Sequence, residues 1–364
     1  MQGGRGMALA VSELARRAGH AGAHFRLAAL PTLAILLGCA VLLNLAIGAV
    51  RVPPSAVLGI LLDHAGISTG LEYTRQQDAV VWNIRVPRVL LALVVGAGLG
   101  TAGCALQGIF RNPLADPGII GVSSGAALGA VGLIILGVSP LGMWSVPAAA
   151  FAGGLLLTLM VYALSRRDGR TEVVTLVLTG VALNAIAGGL IGFALFYATD
   201  AQLRNVVFWQ LGSVGGATWP NVRPAVLAAV VAVVPLMRYG HRLNLLALGE
   251  REAYHLGVDT ERLRLQVIAL AALATAAAVS FAGVIGFVGL VVPHMLRLML
   301  GPDHRRLLPA SALLGAAVIA LADLAARTVV APAEMPLGVV TALAGGPYFL
   351  WLIHRTRRAQ GGWG

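Results

Sequence analysis

Ten apolar stretches, each near the length that crosses a bilayer, run through this chain of 364 residues: 27–50, 88–106, 117–138, 145–165, 173–197, 222–237, 263–282, 284–300, 307–326 and 336–354. A membrane-crossing helix needs about 20 mainly apolar residues. The pattern therefore restricts the chain to an all-α polytopic membrane protein with about ten transmembrane helices. Charged residues make up 11% of the sequence, against about 25% in a soluble domain. The stretches at 263–282 and 284–300 meet at Ala282 and Gly283, so this boundary is the weakest, and nine or eleven spans remain open.

Short loops rich in positive charge stay in the cytoplasm. With the N-terminus inside, alternation of the ten stretches gathers Arg111, Arg166, Arg167, Arg170, Arg238, Arg242, Arg251, Arg305, Arg306 and Arg355 on the inner face and leaves fewer outside. The net charge of +11 is then mainly a topology signal directed at anionic lipid, and nucleic acid is not an expected partner. Residues 1–25 read as a cytoplasmic tail without the apolar core of a cleaved signal peptide, 26–357 as the membrane domain and 358–364 as a second tail. Both termini fall in the cytoplasm. Cys39 and Cys104 lie inside apolar stretches and read as packing residues, with no metal site.

The 26 residues counted as Lys or Arg are all arginine. A P-loop requires a lysine on the nucleotide phosphates, so ATP-driven transport would need a separate ATPase polypeptide. The Gly121-x-Ser123-x-Gly125 run resembles a hydrolase elbow. A serine nucleophile needs a base within hydrogen-bond reach, yet no histidine falls at mid-membrane: His64 is outside, His294 lies towards an inner helix end and the others fall in cytoplasmic segments. No catalytic residue is assigned. Gly121, Gly125 and Gly129 instead carry the spacing that lets helices approach closely.

The run "IRVPRVLLALVVGAGLGTAGCALQGIFRNPLADPGIIGVSSGAALG", with "LGEREAYHLGVD" at 248–259, "GVIGFVGLVVPHMLRLMLGPDHRRLLP" at 283–309, "ADLAAR" at 322–327 and "PLGVVTALAGGPYFLWLI" at 336–353, resembles the FecCD family, the permease subunits of type II ABC importers for iron chelates, haem and cobalamin. The resemblance spans about residues 30 to 355. It implies a homodimer in the bacterial inner membrane, two ATPase subunits carrying ATP and Mg on the cytoplasmic side, and a substrate-binding protein docking on the outer side. The permease itself would bind no cofactor.

The resemblance also assigns roles. Asn112 and Leu114 of "RNPLADP" would form part of a cytoplasmic gate, although Pro113 and Pro117 also fit a simple turn. Coupling helices at about 245–259, with Gly249, Glu250, Ala253, Leu256 and Gly257, would sit against the ATPases; taken alone, this charge run reads as a solvated loop. Arg85, Arg88 and Arg327 would be exposed guanidinia receiving carboxylates of the binding protein, or else arginines anchored at lipid headgroups. By spacing alone, Asp323, four residues before Arg327, shares its helical face and reads either as orienting it or as a purely structural ion pair with it. Thr179, Asn184 and Gly188, with Gly180, Gly189 and Gly192, would line the pathway.

The versions "GIFRNPLADPGIIGVSSGAALG" and "FWQLGSVGGATW" at 208–219 look most like haem permeases, which makes haem the expected transported substrate; siderophore and cobalamin permeases of the same family are the alternatives. A stand-alone secondary transporter would need an ionisable residue near the midplane. Only Asp323 is a candidate for that role.

Overall fold

A computed structural model describes residues 28–167 and 170–359. All ten apolar stretches fold as helices. Among the described residues, seven helices are long and apolar enough to cross a membrane: α1 (Ala28–Ala46), a continuous run Arg75–Phe110, α6 within Gly142–Ser165, α7 (Val173–Phe196), α9 (Trp219–Arg238), α12 (Thr260–Ala282) and α14 (His304–Thr328). The other three stretches form shorter apolar helical segments: α5 (Val122–Leu136), α13 (Val288–Leu300) and Leu337–Leu352, the apolar part of α15 (Leu337–Ala359). The proposed tail 1–25 and residues 360–364 lie outside the described residues.

Helices α2 (Pro54–His64), α3 (Arg75–Val80) and α8 (Asp200–Leu211) lie outside the ten apolar stretches. The second and third begin with reciprocal caps, Thr74 with Gln77 and Thr199 with Gln202. Each cap satisfies backbone N–H groups that the first helical turn leaves unpaired. After α3 the chain passes through one π-helical segment, Val81–Arg85, into α4 (Val86–Phe110), so the second span extends well beyond 88–106. The third span is shorter than 117–138, because Pro117–Ile120 form a separate 3-10 turn before α5. Residues Arg166–Arg167 and Arg170–Thr171 pair as a minimal antiparallel ladder between α6 (Ser145–Ser165) and α7.

The core is built around α4, which packs against α9, α12, α13 and α14. Small residues let the backbones meet. A Cβ added to Gly96, Gly100 or Gly103 would stand 2.1, 2.3 or 1.9 Å from the carbonyl oxygens of Gly315, Ser311 and Gly289 respectively. The pairing of 96 with 315, 100 with 311 and 108 with 304 makes α4 and α14 antiparallel. The glycines of the elbow-like motif do the same for α5 and α6: a Cβ on Gly125 or Gly129 would meet the Gly153 or Ala149 carbonyl at 2.3 or 2.1 Å. They serve helix packing, as expected.

The separation of α12 from α13 is real. Gly283 and Phe287 both adopt positive φ, 71° and 70°, which no regular helix accommodates. The end of α8 plugs the break: Ser213 N donates to Ala282 O at 2.7 Å, and Leu337 N at the start of α15 donates to Gly212 O at 2.8 Å. Gly212 has φ 71° and lies so close to the Ala282 and Val284 carbonyls that a side chain would not fit.

Candidate functional site

Functional candidates gather at the two ends of α4, about 37 Å apart for 25 residues at 1.5 Å per residue. At its N-terminal end, Arg85, Arg88, Arg327 and Glu334 line one cavity of about 460 Å³. The last carbonyls of α1 have no intrahelical partner. Arg85 Nη1 donates to Leu45 O at 2.5 Å and Ala46 O at 3.0 Å, and its Nη2 donates to Val50 O. Arg327 Nη2 donates to Asn44 O at 2.6 Å and Asn44 Oδ1 at 3.1 Å. Two cations thus satisfy the negative pole of α1.

Arg88 holds two carboxylates. Its Nε and Nη2 donate to Asp323 Oδ1 at 3.0 and 2.9 Å, and its Nη1 and Nη2 donate to Glu334 Oε1 and Oε2, both at 3.0 Å. These bonds hold the Glu334 carboxyl below its ordinary range. Two sequence expectations are corrected here. The guanidinia are enclosed, with Arg85 and Arg88 only 4% and 8% exposed, because desolvation is offset by internal oxygen partners. Asp323 is chiefly the partner of Arg88, since Arg327 Nε lies 3.9 Å from it. Glu334 and Asn44 were not anticipated.

At the other end α4 stops at Arg111, which takes the left-handed conformation (φ 48°). Asn112 Oδ1 accepts from Leu114 N at 2.9 Å, a side-chain turn that Pro113 reinforces. Leu114 is left about half exposed. Asp116 caps the 3-10 turn by accepting from Gly118 N at 2.7 Å, and burial raises its pKa. Residues 111–116 are non-helical, and Pro117, the last residue of "RNPLADP", opens the 3-10 turn.

The pathway candidates on α7 divide. Asn184 Nδ2 donates to Gly118 O at 3.0 Å, and a Cβ on Gly180 would stand 2.0 Å from Ile119 O, so these two residues pin α7 to the 3-10 turn. Thr179 is half-buried, whereas Gly188 faces open space together with Gly189 and Gly192.

The segment expected to couple to the ATPases folds as two short helices, α10 (Gly240–Ala247) and α11 (Glu250–His255), separated by Gly249 at φ 135° and closed by Gly257 at φ 83°. Ala253 is buried, while Leu248, Tyr254 and Leu256 project outwards at 64, 71 and 57% exposure. Glu250 turns inward, and its Oε1 accepts from Arg264 Nη2 at 2.5 Å. Arg264, only 2% exposed, also binds Glu261 Oε1 at 2.6 Å and Thr171 O at 2.7 Å. This guanidinium, unforeseen in the sequence, ties α11 to α12 and to the ladder that leads into α7. A polar cavity of about 870 Å³ lies beside it, reaching from Arg111 to Arg251 and Tyr254.

Known proteins resemble this chain in sequence and fold. Residues 35–355 match the FecCD transport family. The chain is 47% identical over 296 residues to the hemin transport system permease protein HmuU of Yersinia pestis, covering 79% of this chain and 88% of that one. It is 44% identical over 295 residues to the cobalamin import system permease protein BtuC of Halobacterium salinarum, covering 79% and 76%. A solved structure described as an inward-facing metal-chelate type ABC transporter superposes with a TM-score of 0.79 at 34% identity, over 90% of this chain and 98% of that one. With its bundle of apolar helices and no lysine for a P-loop, this chain belongs to the FecCD transport family: it is a membrane-spanning permease subunit of an ABC importer and not an enzyme, ATP hydrolysis belonging to a separate subunit.

Proposed function

We propose that this permease moves haem, or a closely related iron chelate, from a substrate-binding protein to the cytoplasm of a bacterial cell, as a homodimer energised by two ATPase subunits that carry ATP and Mg. The observation that carries the reading is the placement of two differently built surfaces at opposite ends of α4. One is a cationic pocket of Arg85, Arg88 and Arg327, suited to bidentate capture of carboxylates. The other is an apolar cluster of Leu248, Tyr254 and Leu256 set among charges, suited to a groove on a protein partner. The arginine distribution supports a cytoplasmic side for the second surface and for both termini.

Gating at Asn112 and Leu114, and a pathway along the open face of α7 including Thr179 and Gly188, complete the proposal. The large exposed side chains of that helix, such as Leu178, Val181 and Phe193, also suit contact with a second copy or with lipid. Secondary transport is disfavoured because Asp323 is held bidentately by Arg88 and is not a free proton carrier. Cobalamin remains the second reading for the substrate, on the strength of the 44% identity to BtuC.

The test is purification with the co-encoded ATPase and binding protein, followed by an absorption spectrum of the chelate the binding protein carries, and uptake of that chelate into proteoliposomes. A Soret band and ATP-dependent uptake are expected. A corrinoid or ferric-siderophore spectrum would replace haem, and uptake driven by a proton gradient alone would overturn the importer reading.

A further inference from the structure

The arginine pocket already contains a carboxylate of the kind it is proposed to receive. Arg88 presents its donors along two edges: one faces Asp323, whose side chain is 3% exposed, and the other faces Glu334, whose side chain is 49% exposed. Asp323 is therefore the inner wall of the pocket and Glu334 stands at its mouth. The pocket sets three guanidinia against two carboxylates, which leaves one positive charge in surplus. Arg327, with a side chain 10% exposed, keeps its Nε without a hydrogen-bond partner. The interior thus favours one more anion, and the direct approach to it crosses Glu334.

We infer that Glu334 occupies, in the undocked permease, the edge of Arg88 that a carboxylate of the substrate-binding partner takes on docking, so that this residue competes with the partner from within the chain. The inference rests on the docking role proposed above. Two carboxylates on one guanidinium edge repel each other, so the resident one must yield. Its backbone does not have to move. The neighbouring residues are fixed by Met335 N donating to Ala326 O at 2.9 Å and Leu337 N donating to Gly212 O, whereas the Glu334 side chain turns about its own single bonds. The opposite side of the pair is closed by Gly215, where a Cβ would stand 3.1 Å from Glu334 Oε2 and 3.5 Å from Arg88 Nη1. The "FWQLGSVGGATW" segment therefore borders this pocket and leaves room for the pair through a missing side chain. Competition of this kind favours rapid release after substrate delivery, because Glu334 returns to Arg88 as the partner leaves.

The test measures the Kd of the cognate substrate-binding protein for the permease–ATPase complex in nanodiscs, comparing wild type with Glu334→Gln, Glu334→Asp and Arg88→Gln. Glu334→Gln keeps the shape and removes the charge. It should tighten docking about 1.5- to 5-fold, the factor a half-exposed ion pair is worth. Glu334→Asp should fall between it and wild type, and provides a second variant if the neutral one folds poorly. In the Arg88→Gln background the Glu334→Gln gain should vanish, as a double-mutant cycle reads directly. Unchanged or weakened docking by Glu334→Gln, while Arg88→Glu and Arg327→Glu still weaken it, overturns the inference and leaves the docking role intact. If docking ignores all the arginine variants as well, the docking role itself falls. Retention of phosphatidylglycerol that rises in Glu334→Gln, without any change in docking, assigns the pocket to lipid headgroups and overturns the inference.

Discussion

Helices α4 and α7 are similar in length and similarly apolar, and both are rich in glycine, yet 78% of the apolar window of the run containing α4 is buried against 22% for α7. The glycines do opposite things. Those of α4 bring backbone within contact of backbone on α13 and α14, whereas Gly188, Gly189 and Gly192 of α7 meet nothing within 4 Å. One helix is a fixed post that joins the two candidate partner surfaces. The other is a wall tied down at its N-terminal half by Gly180 and Asn184 and left free beyond. Composition alone does not separate an apolar helix that faces protein from one that faces lipid or a second copy, because both solvents are equally apolar.

The largest effect that breaks this contrast is expected from glycine substitution. Gly103→Val drives a side chain into the Gly289 carbonyl, 1.9 Å from the new Cβ. It should cost more than the usual overpacking penalty of about 1 to 3 kcal/mol and abolish folded protein in a detergent melt. Gly188→Val should stay within about 0.5 kcal/mol of wild type in the same melt, while impairing uptake if that face lines the pathway. Equal melting losses would mean that α7 is packed as α4 is.

Next in size is Arg264→Met. Breaking a fully buried ion pair costs about 3 to 5 kcal/mol. Here the partners Glu250 and Glu261 keep side-chain exposures of 46 and 30% and can rehydrate, so about 2 kcal/mol is expected. The loss should appear as faster hydrogen exchange at 170–176, the base of α7, with α4 unchanged.

Leu256→Asp should leave the melt within about 0.5 kcal/mol. It should abolish stimulation of the ATPase by loaded binding protein while docking of that protein persists. Normal uptake with normal stimulation would remove α11 from the coupling role. This change reads more cleanly than one at Glu250, which would also strip Arg264 of a partner.

The smallest effect concerns pH. The folded-state pKa of Glu334 is lowered, so its contribution is present above the ordinary carboxylate range and is lost as pH falls through the depressed value. Melts taken from pH 7 downwards should show a few tenths of a kcal/mol lost in that acid window, the scale of a half-exposed pair, and the loss should be missing in Glu334→Gln.

Legibility from sequence followed the range of the forces involved. Helix α6 falls on 145–165 as the apolar run predicts, and Gly283 marks the α12–α13 break. The caps of α3 and α8 were present as Thr-x-x-Gln signals but lay among polar residues without apolar periodicity, so no helix was drawn there. The arginines were named together as docking residues, whereas their enclosure around one cavity was not read. Arg88 meets Glu334 across 246 residues, and Arg85 meets carbonyls of α1 that no side-chain pattern announces. The inward turn of Glu250 was hidden for the same reason, since its partner Arg264 lies on another helix.

The plug at Gly212 links places that are far apart in the chain. Gly215 lies three residues beyond it, and Glu334 lies three residues before Leu337, which bonds to it. Both jaws that close on Arg88 therefore stand on one hydrogen-bonded footing, and that footing rests on the carbonyl of Ala282, the last residue of α12 before the break. A shift of the 283–287 segment would therefore reach both jaws through this footing and change the width of the arginine pocket.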